Sequence, residues 1–256
     1  KVMPIKKNVI FRVPQGLSVA VMDEERIDAL KKLGVSDGAV AIETGSEYVN
    51  RNIMKKNVDL DKAKKILSYM RQVGFGVTTN FILGSPHETD SMRDETIRYL
   101  KSIDVDWVYI FHALPLPGSE MFSMFEKVTD IRAIDWDSIR LGKRDFETDN
   151  IGSKDLEQLI YETNIDVNFF NNSNYRHGRY EKAIKIFNEF ILKTFPYHIV
   201  ARYMVALSLK KLGKYLEAEK QFCEITRWVD TDTESANLYA RYKKRMPELN
   251  DPTPRK

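Results

Sequence analysis

The fold of this chain is decided by the stretch Val77-Thr-Thr-Asn-Phe-Ile-Leu-Gly-Ser-Pro-His-Glu-Thr89. Its first half is β-prone and largely apolar. At Gly84 and Pro86 the backbone can turn and strand pairing ends. Acidic residues follow, and Thr89 or Asp90 can cap a helix. A strand that leads straight into a helix N-terminus is where parallel α/β sheets bind their ligands.

Strands and helices alternate on both sides of this stretch. We predict strands at residues 8–13, 38–43, the opening stretch and 107–111, and helices at 23–33, from 59 or 61 to 73, and at about 91–103. The repeat of roughly 30 residues predicts a parallel sheet with right-handed crossovers. Apolar, near-continuous strands predict cover on both faces of that sheet. Pro14-Gln15-Gly16 is expected to end the first strand. Because a closed barrel needs about 250 residues, we expect an open sheet or part of something larger.

The composition excludes several classes of protein. Cys223 is the only cysteine, so no disulfide framework, thiolate metal site or CxxC redox pair can form within the chain. The histidines show no ligand spacing, and we predict no metal ligands. There is no signal peptide and no run of about 20 apolar residues, which predicts a cytoplasmic protein without a membrane partner.

Charge is spread unevenly along the chain. Residues 1–175 carry 23 Lys and Arg against 27 Asp and Glu, and residues 176–256 carry 17 against 10. A change of sign predicts two units with different surfaces. For the basic part we favour a solvated helical surface over nucleic-acid binding.

The second part contains an internal repeat. Its residues recur 35 positions apart, as Gly178-Arg-Tyr180, Ala183 and Phe187, then Gly213-Lys-Tyr215, Ala218 and Phe222. This pattern resembles the tetratricopeptide repeat, a helix-turn-helix unit. We predict helices at residues 155–174, 180–194, 199–212, 215–229 and 233–245, which would bind a protein or peptide.

Polar residues lie near each predicted strand end, and the carboxyl ends of parallel strands share one rim. The candidate binding residues are Arg12, Glu43, Ser46, Asn80, Ile82, Gly84 and His112. A carboxylate such as Glu43 can hold a ribose diol or an ammonium group, and Arg12 can hold a carboxylate. The backbone around Ile82 and Gly84 can approach a flat ring. Structural roles remain open for Glu43 as a strand-end charge, Ser46 as a helix cap and His112 as a satisfied rim residue. No catalytic residue is identified.

Several segments in order resemble a radical S-adenosylmethionine enzyme, of the branch whose members often carry a cobalamin-binding domain. The similarity covers about residues 8–122. The segments are Arg12-Val-Pro-Gln-Gly-Leu17, Met22-Asp-Glu-Glu25, Ala41-Ile-Glu-Thr-Gly-Ser-Glu47, Asn80-Phe-Ile-Leu-Gly-Ser-Pro-His-Glu-Thr89 and Ala113-Leu-Pro-Leu-Pro-Gly-Ser119.

This resemblance implies a six-strand partial barrel of the TIM type, whose third to sixth strands are present here. It places Glu43 and Ser46 near the ribose and methionine ends of S-adenosylmethionine, and residues 80–84 against adenine. Asn80 stands where the family usually has glycine. The family's Cys-x-x-x-Cys-x-x-Cys loop, which binds the 4Fe-4S cluster, is absent from this chain. Cobalamin is a further candidate cofactor.

These observations predict a partial barrel at 1–128, a connector at 129–154, tetratricopeptide-like repeats at 155–247 and a tail at 248–256. The chain would be the C-terminal part of a radical S-adenosylmethionine enzyme, inactive by itself and lacking the N-terminal half of its barrel. The parent reaction would be radical C–H activation or cobalamin-assisted methyl transfer. Two alternatives remain: a protein-binding scaffold that acts through the repeats, and an ordinary α/β enzyme with a strand-end pocket.

Overall fold

A computed structural model describes residues 11–137, 139 and 144–249, without the side chains of Pro14 and Gln15. The chain divides into two compact units, of which the first ends at Asn164 and the second starts at Ile165. The beginning of the predicted first strand and most of the predicted tail lie outside the described residues. Within the described residues no helix is long and apolar enough to cross a membrane.

The first unit alternates strands and helices. Its elements are β1 (Phe11–Ser18), α1 (Glu24–Lys32), β2 (Val35–Glu43), a π-helical turn (Val49–Ile53), α2 (Leu60–Gln72), β3 (Gly76–Leu83), α3 (Asp90–Ser102), β4 (Trp107–His112), α4 (Glu120–Val128), a 3-10 turn (Ile131–Ala133) and α5 (Ser153–Ile165). The side chains of Asp23 and Asp59 cap α1 and α2 by accepting backbone N–H groups. These caps explain why each of the two helices begins directly after an aspartate.

The four strands form one sheet in the order β1-β2-β3-β4, and every pair is parallel. The predicted parallel α/β sheet is therefore confirmed. The strand order follows the chain order and never reverses among the described strands. Consequently the carboxyl ends of all four strands, at Ser18, Glu43, Leu83 and His112, lie along one edge.

The first strand is longer than predicted. Pro14-Gln15-Gly16 does not end it, because β1 continues to Ser18 and Leu17 pairs with Val40. The pairing shifts register between Val13 and Leu17, and Gly16 has a φ of 102° there. An edge strand with a register shift tolerates a proline, since that residue needs no ladder partner.

The two faces of the sheet are covered unequally, since one is buried and the other only partly covered. Along β3 the odd-numbered side chains are buried and the even-numbered ones are half-buried. On the buried face Phe81 contacts Tyr99 of α3, with ring centroids 6.1 Å apart. On the other face Asn80 pairs in register with Tyr109, which is 47% exposed. One face of this sheet is thus left accessible.

Helix α5 belongs to the first unit, although its residues were predicted to start the helical repeats. Leu156 and Ile160 of α5 form a buried cluster with Leu83 of β3. Sequence analysis also missed α4, where Phe125 anchors a second cluster with Ala113 and Phe146. Ile82 and Ile139 are among the partly buried residues packed against that second cluster.

The second unit is helical throughout its described elements. They are a π-helical turn (Asp166–Phe170), α6 (Ser173–Arg176), α7 (Tyr180–Ile186), a π-helical turn (Phe187–Leu192), α8 (Ile199–Lys211), α9 (Tyr215–Thr231), α10 (Thr233–Tyr242) and 3-10 turns at Lys243–Arg245 and Pro247–Leu249. Helix α8 is buried on nearly every side. The predicted helices at 155–174 and 180–194 are interrupted by the π-helical turns.

In the 35-residue repeat the matched glycines agree in backbone φ, and the matched alanines and phenylalanines agree in burial. Gly178 and Gly213 have φ values of 73° and 75°, in the left-handed region that favours glycine. Ala183, Ala218 and Phe187 are fully buried, and Phe222 is 1% exposed. The tyrosines differ, because Tyr215 is 65% exposed whereas Tyr180 packs its ring against Tyr175.

Candidate functional site

Glu43 lines a cavity of about 400 Å³ at the carboxyl ends of β1 and β2. Its backbone φ is 76°, an uncommon conformation for a residue other than glycine and one that recurs at functional sites. Burial raises the pKa of Glu43, and the nearby ammonium of Lys56 lowers it in part. The Lys56 Nζ lies 3.9 Å from Glu43 Oε1. A half-buried carboxylate beside a lysine can bind a ligand that carries both a hydroxyl or ammonium group and an acid group.

The opposite wall of the cavity is the loop from Lys56 to Asp59, which Asn50 holds in place. Asn50 is fully buried; its Nδ2 donates to Val58 O at 2.6 Å, and its Oδ1 accepts from Val58 N at 3.0 Å. Sequence analysis missed both Lys56 and Asn50. The signal for Asn50 is long-range packing, which a local pattern cannot show.

Ser46 lies at the turn after β2 but is engaged by α3. Its hydroxyl donates to Glu95 Oε2 at 2.7 Å, and its backbone N–H donates to Thr44 Oγ1 at 3.2 Å. Ser46 is fully buried and is not among the residues that line the Glu43 cavity. Gly45 allows this close approach, because a Cβ added there would lie 2.3 Å from Tyr99 Cβ.

Asn80 and Ile82 lie on the accessible face of the sheet. In the strand register Asn80 stands between Ala41 of β2 and Tyr109 of β4. Ala41 also lines the Glu43 cavity. Two of the predicted binding residues, Glu43 and Asn80, are therefore placed on neighbouring strands close to one cavity.

Gly84 is held on both sides of its backbone. Its N–H donates to Glu88 Oε2 at 2.5 Å, and its carbonyl accepts from Arg144 Nη1 at 2.6 Å. A Cβ at this position would lie 2.4 Å from Leu156 Cδ2 and 3.0 Å from Arg144 Nη2. The expected approach of a flat ring to the backbone at Gly84 is thus corrected on this side, since Leu156 and Arg144 fill that space.

Glu88, Arg93 and Arg144 form a buried charged cluster that sequence analysis missed. Burial raises the pKa of Glu88 to about 7, against the lowering effect of its backbone hydrogen bonds and of both arginines. Burial lowers the pKa of Arg144 to about 10. Arg93 donates to Glu88 O, to Asp90 Oδ1 at 2.5 Å and to Asn150 O at 3.1 Å. Buried charges of this kind require close partners.

His112 ends β4 on the face opposite Asn80, in register with Leu83. It is 5% exposed, and neither ring nitrogen has a hydrogen-bond partner among the described residues. Burial lowers its pKa and Arg144 adds to that effect, while Glu157 opposes it. The structure does not bring His112 to the cavity that Glu43 lines.

Arg12 lies near the start of β1 rather than at its carboxyl end, because the strand runs on to Ser18. It pairs in register with Asp37, and its Nε lies 3.1 Å from Asp37 Oδ2. The predicted position of Arg12 on the rim is therefore corrected. Among the described residues no group of three or more His, Cys, Asp or Glu side chains could hold a metal ion.

The sequence profile of the radical SAM superfamily matches residues 8–100. This segment is similar to the radical SAM superfamily. It runs from β1 to within α3 and so contains Glu43, the loop at Lys56, Gly84 and Glu88. His112 and Arg144 lie beyond the radical SAM segment.

Two curated relatives each match under half of this chain. The cytidylyl-2-hydroxyethylphosphonate methyltransferase of Streptomyces wedmorensis is 29% identical over 117 residues, which are 43% of this chain and 22% of that protein. A protein of Methanocaldococcus jannaschii provisionally named a methylthiotransferase is 27% identical over 105 residues, 41% of this chain and 23% of that protein. The matched part of the chain thus spans under a quarter of either relative's length, 22% and 23%.

Among solved structures, coproporphyrinogen III oxidase (HemN) of Escherichia coli, described as a radical SAM enzyme, has a TM-score of 0.44 and 16% sequence identity. The similarity covers 61% of this chain and 31% of that chain.

Proposed function

We propose that the first unit is the C-terminal part of the barrel of a radical S-adenosylmethionine enzyme, contributing its third to sixth strands. The observation that carries this proposal is the cavity beside Glu43, at the carboxyl ends of β1 and β2 and within the matched segment. A strand order that follows the chain order is typical of barrels, whereas doubly wound sheets reverse it. The accessible face with Asn80 and Tyr109 would face the barrel interior.

The residues around the cavity suit S-adenosylmethionine in size and charge. A volume of about 400 Å³ lies within the range of small-molecule sites. The Glu43 carboxylate would accept from ribose hydroxyls or the methionine ammonium, and Lys56 would hold the methionine carboxylate. In the parent enzyme the bound cofactor supplies the radical that starts the reaction.

The chain does not supply ligands for a 4Fe-4S cluster. Such clusters are held by three or four cysteine thiolates, and Cys223 is the only cysteine here. Cys223 is exposed and lies on α9, in the second unit. We therefore propose that this chain does not cleave the cofactor by itself and that the missing N-terminal half of the barrel provides the cluster ligands.

The parent reaction that we favour is transfer of a methyl group, with cobalamin as a candidate cofactor, over other radical C–H chemistry. Both curated relatives bear names of methyl or methylthio transfer. These names support the reaction class and leave the substrate unassigned.

The test uses the longer gene product, purified anaerobically and reconstituted with iron and sulfide. With dithionite as electron donor we expect it to bind iron and sulfide and to cleave S-adenosylmethionine reductively to methionine and deoxyadenosine. For methyl transfer to an acceptor we expect S-adenosylhomocysteine as the product. We expect no such product from the 256-residue chain. Turnover by this chain in air without iron would overturn the proposal and favour an ordinary α/β enzyme.

A second candidate function is protein binding by the second unit, through tetratricopeptide-like repeats. Large apolar side chains are exposed there: Phe190 is 66%, Tyr215 is 65% and Leu216 is 82% exposed. Contiguous exposed apolar side chains mark interaction surfaces, and Tyr215 and Leu216 are adjacent in the chain. A pull-down that compares the full chain with the variants Leu216→Ser and Phe190→Ser tests this role. The role requires that a partner bound by the full chain be lost from both variants.

A further inference from the structure

We propose that Arg144 and Glu88 are positioning residues that clamp Gly84 from both sides and thereby set the end of β3, so that the connector is part of the ligand site. This inference rests on the proposed function, because β3 carries the residues assigned to adenine. Sequence analysis treated residues 129–154 only as a linking segment.

The clamp acts on the peptide groups of Gly84. Glu88 accepts the N–H of Gly84 at 2.5 Å and the N–H of Ser85 at 3.1 Å. Arg144 donates to the carbonyl of Gly84 at 2.6 Å and to that of Ala113 at 3.2 Å. Since Ala113 directly follows β4, the single guanidinium joins the ends of two neighbouring strands. Both bonds come from Nη1, whose two N–H groups can serve one carbonyl each.

A glycine turn needs such a clamp. Gly84 has a φ of 82° and no side chain of its own to pack, and Leu156 and Arg144 already fill the space beside it. Its conformation is therefore fixed through its N–H and carbonyl groups. Ile82 and Asn80 precede it on the accessible face, so a shift of Gly84 would move both side chains.

The cluster is not explained by stability alone. Glu88 is fully buried, Arg93 is 2% exposed and Arg144 is 3% exposed. Burying ions carries a desolvation penalty, and apolar side chains of similar size often give a protein that is as stable or more stable. Polar atoms in the cluster also lack hydrogen-bond partners among the described residues, namely Ser85 Oγ, Glu88 Oε1, Arg93 Nε and Arg144 Nε. Because the cluster retains buried charges despite the desolvation penalty, we infer that these charges hold the turn in one geometry.

The connector is attached to the same turn at two further points. Asp149 accepts from the backbone N–H of His87 at 2.9 Å and pairs with its ring Nδ1 at 2.7 Å. Arg93 donates to Asn150 O at 3.1 Å. His87 has a φ of 62°, so this turn is secured by the connector at a second strained residue.

The test measures amide hydrogen exchange by NMR in the 256-residue chain. The variants are Arg144→Met, Arg144→Lys, Glu88→Leu and Glu88→Gln, with Arg132→Met as a control at an exposed arginine of the connector. We expect Arg144→Met and Glu88→Leu to lower the protection of the Gly84 and Ser85 amides at least about tenfold more than that of Val40, in the centre of β2. Glu88→Gln keeps the acceptor oxygen and should stay within about threefold of the wild type.

Arg144→Lys keeps the charge, but its Nζ stands about one bond short of the position of Nη1, so both carbonyl bonds should weaken and protection should fall locally even if Arg144→Met does not fold. Equal loss of protection at Gly84, Ser85 and Val40 would overturn the clamp, as would no loss in any variant. Titration of the same proteins with S-adenosylmethionine forms a separate arm. A wild-type chain that shows no heat of binding would count against the proposed function, while the exchange data still decide the clamp.

Discussion

Lys56 Nζ lies 3.9 Å from Glu43 Oε1, and both residues line one cavity at the carboxyl ends of β1 and β2. We expect Glu43→Gln to raise the dissociation constant for S-adenosylmethionine about tenfold or more, because charge-assisted hydrogen bonds to hydroxyl or ammonium groups are lost. Isothermal titration calorimetry measures the effect. The control is Glu47→Gln, an exposed carboxylate that pairs with Arg51 at 2.9 Å. Equal affinity in the wild type and Glu43→Gln would remove Glu43 from the site.

Gly45 is required by packing between the β2 turn and α3. A Cβ there would lie 2.3 Å from Tyr99 Cβ and 3.0 Å from Thr96 Cα. We expect Gly45→Ala to lower the free energy of unfolding by about 2 to 3 kcal/mol through overpacking. Gly152→Ala is the matched control, since its Cβ would meet no atom closer than 3.4 Å. Chemical denaturation followed by circular dichroism compares the two, and a similar midpoint for both variants would contradict the packing argument.

Asn50 determines the cavity wall through its two hydrogen bonds to Val58. Asn50→Leu removes both bonds and leaves the part-buried N–H and carbonyl of Val58 without their Asn50 partners. We expect a loss of about 2 kcal/mol or more in the free energy of unfolding, measured by urea denaturation. Asn52→Leu serves as control, because Asn52 is exposed and makes one bond, to Tyr48 O at 3.2 Å. The idea fails if the two leucine variants are equally stable.

Glu88 should make stability depend on pH near neutrality. Burial raises its folded-state pKa from 4.5 to about 7, so the folded protein binds more protons than the unfolded chain in this range. Its contribution to stability is therefore full below pH 4.5 and is lost as the pH rises through 7. The charged groups that act on Glu88 are Arg93 and Arg144, which limit the rise in its pKa.

From pH 5 to pH 8 we expect the wild type to lose about 2 to 3 kcal/mol relative to Glu88→Gln, which has no proton to release. Urea denaturation of both proteins at each pH gives the difference directly. Parallel pH profiles of the two proteins would show that Glu88 is ionised throughout this range.

Gly178 and Gly213 test the internal repeat. No atom lies within 4 Å of a Cβ added at either position, so substitution meets only the positive φ. We expect Gly178→Ala and Gly213→Ala each to lower the stability of the second unit by about 1 to 2 kcal/mol. Asparagine tolerates this conformation better, and Gly213→Asn should recover part of the loss. Thermal unfolding measures the loss of stability in each variant. Unequal losses for Gly178→Ala and Gly213→Ala would argue against equivalent turns.

Local pattern predicted much of the secondary structure. Helices α1 and α2 begin after Asp23 and Asp59, as predicted, because caps and apolar spacing are encoded within a few residues. Helix α4 was missed, and β1 was predicted too short. A register shift at an edge strand depends on its neighbour, β2, and not on Pro14 alone.

The sequence by itself determined the alternation of strands and helices, the 35-residue repeat and the position of Glu43 at a strand end. Each of these features depends on residues that are close together along the chain, so residue spacing and turn-forming residues determine it directly. Only the tertiary structure showed that Arg144, 60 residues away along the chain, donates a hydrogen bond to the carbonyl of Gly84, and that Lys56 lies beside Glu43. Such contacts depend on how distant segments pack, and a buried arginine is recognisable only when its acceptors are in place.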